Sequence, residues 1–372
     1  MLLMKILHIS GAKGWGGNEQ QIIYILPKLN ALGIQNIVCG LKNSVLESEC
    51  KKNAIIFIPF KDKKLKSFTN YKHLSKISKD EKPDIIQLHT SDSLMFFLLT
   101  NFFLRIKGKL VFSKKGVGVS GSFLSKIKYN SSRIDAILCV SKMVEESFGK
   151  TLTTKMKEKT IVINDCVSLD ILDFKSDIKI RKLYNIPDDK LLVGNIANHT
   201  NAKDLYTLID VLAEIKHAHN RNDIVFVQIG EFSKKTDKLK EYAIQKKVFK
   251  DIIFMNQIKN ASSLNNQFDV FLLTSQREGG PTSLLEAMLI GTPVVATKVG
   301  VVPDIIQDGI NGFSAEIKNA KKLGKNIIEL LDNKILQKEF SETNIEIVKT
   351  KFSAIYIANQ IKTEFEKLLK VT

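Results

Sequence analysis

The stretch Thr274-Ser-Gln-Arg-Glu-Gly-Gly-Pro-Thr-Ser-Leu-Leu-Glu-Ala-Met288 decides how this chain is read. The apolar run Val270–Leu273 before it reads as a buried strand, Gly279-Gly280 as a loop, and Pro281–Ser283 as the start of a helix. Strand, glycine loop and helix N-terminus in that order turn backbone N–H groups towards an anion. The helix dipole adds roughly half a positive charge. The amides of Gly280, Thr282 and Ser283 suit a diphosphate, and Glu286, about one turn in, is placed to reach back to a ribose hydroxyl. The same letters admit another reading. Ser283-x-x-Glu286 has the spacing of a capping box, in which Glu286 caps its own helix and Glu278 is an ordinary loop acid.

Outward from this stretch, apolar runs and helical periodicities alternate along the chain, the pattern of βαβ units and parallel sheets. Downstream, Thr292–Ala296 and Gly312–Ala315 read as strands and Ala354–Leu369 as an amphipathic helix, basic at its end. Upstream come strands at Leu191–Ala197, Ile224–Ile229 and Ile252–Met255, with helices at Lys203–His217 and Asp237–Lys247. The first half has the same rhythm, with strands at Lys5–Ser10, Asn36–Gly40, Ile55–Ile58, Asp84–Leu88, Lys109–Phe112, Ala136–Val140 and Thr160–Ile163. Its first helix, from about Asn18, contains Pro27, where a kink is expected. The polar, interrupted stretch Asp170–Pro187 reads as a linker. At 372 residues the chain is long for one domain and comfortable for two. The expectation is an α/β protein of two doubly wound, Rossmann-like domains, residues 1–170 and 171–352, facing each other across a cleft. Residues 353–372 are expected to form a helix crossing back to the first domain. Ligands bind such sheets at the carboxyl ends of their strands.

Composition narrows the class. Hydrophobic residues make up 44% and charged residues 26%, which is globular rather than disordered. Cys39, Cys50, Cys139 and Cys166 form no CxxC pair, and the N-terminus reads straight into a strand. The expectation is a reducing cytoplasm, with neither a disulfide framework nor a structural zinc. Leu94–Leu104 is interrupted by Thr100 and Asn101 and falls short of the roughly twenty apolar residues of a spanning helix. It reads as a buried helix, or as an apolar face near a lipid surface. The net charge of +17 is uneven: residues 1–170 carry 27 Lys and Arg against 14 Asp and Glu, a net of +13. Between Ile85 and Ile134 the only carboxylate is Asp92. Such a field attracts an anionic surface, or reflects a lysine-rich composition that only keeps the protein soluble. With no zinc finger, RRM-type aromatic motif or recognition helix to support nucleic acid, an anionic membrane surface is the expected partner.

The N-terminal loop Gly11-Ala-Lys-Gly-Trp-Gly-Gly-Asn-Glu19 is a second candidate anion loop. It matches neither the dinucleotide fingerprint, since Glu19 holds the third glycine position, nor a P-loop, since no Lys-Ser/Thr follows Gly16. A tight turn without ligand explains it as well.

Taken with their flanks, these motifs carry a resemblance. Glu278 to Glu286 resembles the E-x7-E motif, in the form E-G-x-P-x-S-x-x-E-A, of retaining GT-B glycosyltransferases of family 4 (glycosyl transferases group 1). Gly291-Thr-Pro-Val-Val-Ala-Thr297 is similar to that family's G-x-P-V-V-A-T, Gly300-Val-Val-Pro-Asp-Ile-Ile to G-G-x-P-E-I-V, and Asp308-Gly-Ile-Asn-Gly-Phe313 to D-G-x-N-G-F. Asp135-Ala-Ile-Leu-Cys-Val-Ser141 resembles D-x-I-x-x-V-S, and Gly16-Gly-Asn-Glu19 the N-domain G-G-x-E. The resemblance covers nearly the whole chain and is strongest from about Val193 to Phe313.

What it implies is specific. Glu278 would contact the transferred sugar beside the Gly279 and Gly280 amides. Thr282 and Ser283 would lie by the diphosphate, Glu286 would hold the ribose, and Lys203 would neutralise the leaving diphosphate. Lys203 also reads as a solvated residue opening its helix. Gly16 or Gly17 would approach the phosphates from the other domain. Departures from the family pattern are as informative. Ala197-Asn198 stands where Gly-Arg is common, so Asn198 offers only a neutral hydrogen bond. Ser113-Lys-Lys-Gly116 stands where a His or Arg is usual, so Lys115, or Lys114, would take that role. Asn164-Asp165 replaces the usual Asn-Gly. His89, ending Ile85-Ile-Gln-Leu-His, is an active-site group or a structural hydrogen-bonder.

No D-x-D occurs, so no metal and no cofactor beyond the nucleotide-sugar substrate is expected. The resemblance implies sugar transfer with retention from a nucleotide-sugar, by default a UDP-sugar, with GDP-mannose the other donor to test. The acceptor would be a lipid-linked or polysaccharide glycan of bacterial lipopolysaccharide, O-antigen or capsule. The enzyme would be cytoplasmic, peripheral at the inner face of the cell membrane. A nucleotide-sugar 2-epimerase of the same fold, or a non-catalytic nucleotide-sugar-binding protein, are the rival readings.

Overall fold

The computed structural model describes residues 4–118 and 122–370. The chain divides into two compact units. One runs to Cys166 and takes in the segment from Ala354 onwards; the other is Val167–Ser353. Each is built on one wholly parallel sheet, as alternating βα rhythm requires.

In the first unit the strands are β1 (Lys5–Ile9), β2 (Gln35–Leu41), β3 (Ile56–Phe60), β4 (Ile85–Leu88), β5 (Lys109–Lys114), β6 (Ala136–Cys139) and β7 (Thr160–Val162), ordered β3-β2-β1-β4-β5-β6-β7. In the second they are β8 (Leu191–Ile196), β9 (Ile224–Ile229), β10 (Ile252–Met255), β11 (Val270–Leu273), β12 (Val294–Thr297) and β13 (Phe313–Ala315), ordered β10-β9-β8-β11-β12-β13. Helices cover both faces, so the strands are near-continuous apolar runs. Strand order reverses between β1 and β4 in one sheet and between β8 and β11 in the other. At such switch points neighbouring crossovers leave to opposite faces and open a crevice for ligand.

The C-terminal helix Ala354–Lys370 packs on the first helix, Gly17–Ala31, which continues past Pro27. Ile357, Ala358, Ile361 and Phe365 join Ile22, Ile25, Leu26 and Leu29 in one buried cluster. Gln21 clamps the end of the unit, donating to Cys166 O at 2.8 Å and accepting from Cys166 N at 2.8 Å.

The polar stretch 170–187 is not free chain. Ile171 and Ile180 are buried, and the Gln267 side chain accepts from Ile180 N and donates to Ile178 O. Single isoleucines spaced through polar sequence carry no helix or strand period, so the sequence concealed this packing. The helix expected over 203–217 begins only at Leu205 and ends in a π-turn, Glu214–Ala218. Asp204 before it is left-handed (φ 47°), which sets Lys203 in the preceding loop.

The buried-helix reading of the 94–104 run holds in part. In the helix Ser91–Leu104, Leu94, Phe96 and Phe97 are buried while Phe102 and Phe103 are exposed. Among the described residues no helix is long and apolar enough to cross a membrane. All four cysteines are buried and free.

Candidate active site

β11 ends at the second unit's switch point, and the loop after it is tied down on three sides. Gln276 N donates to Ala202 O at 2.8 Å, Thr274 Oγ1 to Lys203 O at 3.2 Å, and Thr297 Oγ1 to Ser275 O at 2.6 Å. These bonds bring the loop after β8 against the loop after β11. Lys203 Nζ consequently reaches Glu278 Oε1 at 2.6 Å, and Ser275 Oγ donates to the same oxygen at 2.6 Å. The two side chains are a quarter and a tenth exposed, so the pair is partly shielded yet open to a ligand.

Behind Glu278 lies Gly300. Its φ is +57°, and a Cβ there would stand 2.3 Å from Gly279 O. Only glycine permits this close approach, which fixes the Glu278-Gly279 backbone from beneath.

The helix Thr282–Ile290 follows, with Pro281 in the N-cap position and no side-chain cap. Ser283 is therefore inside the helix, not before it, and the capping-box reading fails. The letters had the right spacing in the wrong place. The first turn instead leaves the Ser283 amide without an intrahelical acceptor, in the arrangement that binds anions. Glu286 is buried on the fifth helical residue.

After β8, the Asn198 side chain is exposed and its Oδ1 accepts from Glu231 N at 3.0 Å. The next residue, His199, belongs to no motif in the sequence. It is buried, with Nδ1 2.8 Å from Thr236 Oγ1 and Nε2 2.7 Å from Gln228 Oε1, and it pins this loop to β9. Nothing in the run Ala197-Asn-His-Thr marks it beforehand.

The first unit's switch point gathers the remaining candidates. Gly16 is extended and Gly17 opens the first helix. Asn18 Nδ2 donates to His89 O at 3.1 Å and to Glu19 Oε1 at 3.2 Å, which ties the glycine loop to the end of β4. Burial raises the pKa of Glu19. His89 is buried and its Nε2 stands 3.0 Å from His8 Nδ1. Burial, then His8, then Lys115 hold the His89 pKa well below the ordinary histidine value.

The two lysines after β5 separate cleanly. Lys114 is buried, its ammonium donating to Gly116 O and Gly118 O, and burial lowers its pKa. It shapes its own loop. Lys115 Nζ pairs with Asp165 Oδ1 at 2.5 Å. Two departures from the family pattern, Lys115 and Asp165, thus meet in one ion pair.

Residues 176–346 match the family of glycosyl transferases group 1. An uncharacterized glycosyltransferase of Methanocaldococcus jannaschii is 28% identical over 287 residues, 77% of this chain and 69% of the relative. The poly(ribitol-phosphate) alpha-N-acetylglucosaminyltransferase of Staphylococcus aureus (strain COL) is 28% identical over 254 residues, 63% of this chain and 51% of its own length. The O-antigen biosynthesis glycosyltransferase WclY of Escherichia coli is 24% identical over 236 residues, 63% of this chain and 62% of its own. The alignments thus span between about half and two thirds of these relatives. Among solved structures, a glycosyltransferase from Rickettsia africae ESF-5 superposes with a TM-score of 0.84 at 21% identity, over all of both chains. HepE of Anabaena, solved with UDP-glucose, gives 0.83 at 18% identity, over 98% of this chain and all of the other. The glycosyl transferases group 1 match thus covers most of the second unit, the two parallel-sheet units have the GT-B architecture, and the chain is a glycosyltransferase.

Proposed function

We propose that the chain is a retaining, family 4 transferase that moves a sugar from a UDP-sugar to an anionic or membrane-borne acceptor in bacterial cell-surface glycan synthesis, as in lipopolysaccharide, O-antigen or capsule. The observation that carries this is the Lys203–Glu278 contact at 2.6 Å beside the N-terminus of the Thr282–Ile290 helix. An ammonium, first-turn amides and a helix dipole converge where a leaving diphosphate gathers charge. Glu278 then orients the transferred sugar, Gly279 and Gly280 line it, Thr282 and Ser283 bind diphosphate, and Glu286 takes the ribose. Asn198, with its oxygen engaged by Glu231, has only its amide N–H groups to offer. In the first unit Gly16 and Gly17 serve phosphate, and His89 and Lys115 serve the reacting groups.

The chemistry we propose is a front-face substitution without a metal. The C1–O bond to diphosphate breaks, the acceptor oxygen bonds to C1 on the same face, and its proton passes to the leaving phosphate. A covalent sugar adduct trapped on the enzyme overturns this. HepE was solved with UDP-glucose, and the S. aureus relative is named for a phosphate-bearing polymer, which suits the net +13 of residues 1–170 here. A membrane-borne acceptor is supported by exposed apolar side chains among lysines: Phe68, Phe123, Leu124 and Ile127 stand with Lys66, Lys72, Lys126 and Lys128.

The test is a panel of UDP-glucose, UDP-galactose, UDP-N-acetylglucosamine and GDP-mannose, scored by thermal stabilisation and slow donor hydrolysis. One UDP-sugar is expected to score on both, and Lys203→Ala and Glu278→Gln to abolish hydrolysis. A chain stabilised by none of the four sinks the proposal.

A further inference from the structure

His199 and His89 are both buried and both follow a strand at a switch point, but their ring nitrogens are used differently. His199 has a partner on each. His89 has one, His8 on Nε2, while its Nδ1 is buried with no hydrogen-bond partner.

The protonation of that nitrogen follows from its neighbours. Ile34 O can only accept, so the Asn36 atom 3.1 Å from it is the amide nitrogen, and the atom 2.9 Å from His8 Nε2 is the oxygen. His8 therefore carries hydrogen on Nε2. Burial pushes its pKa down to about 4, so near neutral pH its Nδ1 is a bare acceptor. The facing His89 Nε2 must donate, and neutral His89 is left with a lone pair on Nδ1. Asn18 repeats the situation. Its amide nitrogen is fixed on the His89 carbonyl, and its Oδ1 is buried without a partner. Two acceptors lacking donors thus flank one residue at the end of β4, and such atoms call for a bound donor.

Charge decides which donor. A phosphate or carboxylate brings only acceptors, and a cation meets the nearby Lys115 ammonium. A neutral donor remains, and the donor a sugar carries in greatest number is the hydroxyl. We propose that His89 Nδ1 and Asn18 Oδ1 form a hydroxyl-binding site for the sugar of this enzyme's substrate, and that His8 is the positioning residue that fixes the His89 tautomer. This deepens the reading given above and rests on it for the identity of the occupant.

The tautomer needs no substrate to be tested. Nitrogen-15 spectra of the full chain with labelled histidine at pH 7, assigned by loss of signals in His89→Asn, should show His89 protonated on Nε2 alone. His8→Asn, whose Oδ1 replaces the accepting nitrogen, should keep that tautomer, and His8→Leu should lose it. With the donor found in the panel, His89→Leu should lower kcat/KM by about tenfold or more. His89→Asn, which keeps an amide at the Nδ1 position, should recover part of that loss. His8→Asn should outperform His8→Leu at equal folded fraction by thermal melting. A cationic or Nδ1-protonated His89, equal behaviour of the two His8 variants, or a folded His89→Leu within twofold of wild type overturns the site. An inactive wild-type chain with the expected tautomer instead overturns the reaction.

Discussion

Lys203 and Ser275 both donate to one oxygen of Glu278, so each substitution there removes something different. Lys203→Ala takes away the charge that would meet the diphosphate but leaves Glu278 its serine partner. We expect kcat to fall by about 100- to 1,000-fold, with stability changed by no more than about 1 kcal/mol because the pair is partly solvated. Steady-state rates and denaturant midpoints of the same preparation check this; a lost fold without the variant ever binding donor contradicts it. Glu286→Gln keeps shape and burial while removing the charge proposed to hold the ribose. It should raise KM about tenfold or more with little change in kcat. His8 gives a stability prediction. Its folded pKa, about 4, lies below the ordinary 6.5, so the unfolded chain takes a proton that the fold refuses. Stability therefore falls as pH drops from 6.5 towards 4, by about 2 kcal/mol at pH 5 from this residue. His89 shifts in the same direction and adds to it. Denaturation of wild type and His8→Asn at pH 7 and pH 5 should show a shallower loss in the variant.

At the scale of elements, the close approach of Gly300 to Gly279 makes one strand end depend on another. Gly300→Ala meets both an unfavourable φ and a backbone oxygen. The Glu278 loop should shift, and thermal stabilisation by the UDP-sugar should disappear while the unit stays folded. The helix Phe123–Tyr129 turns Phe123, Leu124 and Ile127 to solvent, beside Lys126 and Lys128. Co-sedimentation with anionic vesicles should exceed that with neutral ones. It should weaken with salt and fall about fivefold for each lysine replaced by glutamine, at roughly 1 kcal/mol per charge. Equal binding to both vesicle types removes the membrane from the proposal. Legibility at this scale followed local contrast. β9, β10 and β11 could be bounded to the residue because each apolar run stops at polar or glycine neighbours. The Lys203 loop could not, because it ends in a left-handed Asp204 that no composition announces. The helix start at Thr282 was legible in kind, from Gly-Gly-Pro. The serine three before glutamate pointed to a cap that Pro281 occupies. The pairing of Lys115 with Asp165, 50 residues apart, and the His8–His89 contact, 81 apart, were invisible for the usual reason that parallel sheets bring distant strands together.

At the scale of the molecule, the chain leaves its first unit at Cys166 and returns to it at Ala354, so the first unit is completed by its last segment. The returning helix buries Ile357, Ile361 and Phe365 against the helix that carries Gly17, Asn18 and Glu19. Each such side chain contributes about 1.5–3 kcal/mol, and a domain's whole margin is about 5–15 kcal/mol. Removing residues 354–372 should therefore unfold the first unit, and with it the glycine loop and the His89 site. The second unit has its own cores, sheet and tied loops. The truncated chain should show rapid proteolysis confined to the first unit and a surviving fragment spanning Val167–Ser353. That fragment should retain part of the stabilisation by UDP-sugar, since the residues proposed for ribose and diphosphate all lie within it, while hydrolysis and transfer disappear. A truncated chain with wild-type melting and activity contradicts this account, because the buried face of the last helix would then contribute nothing to the unit it closes.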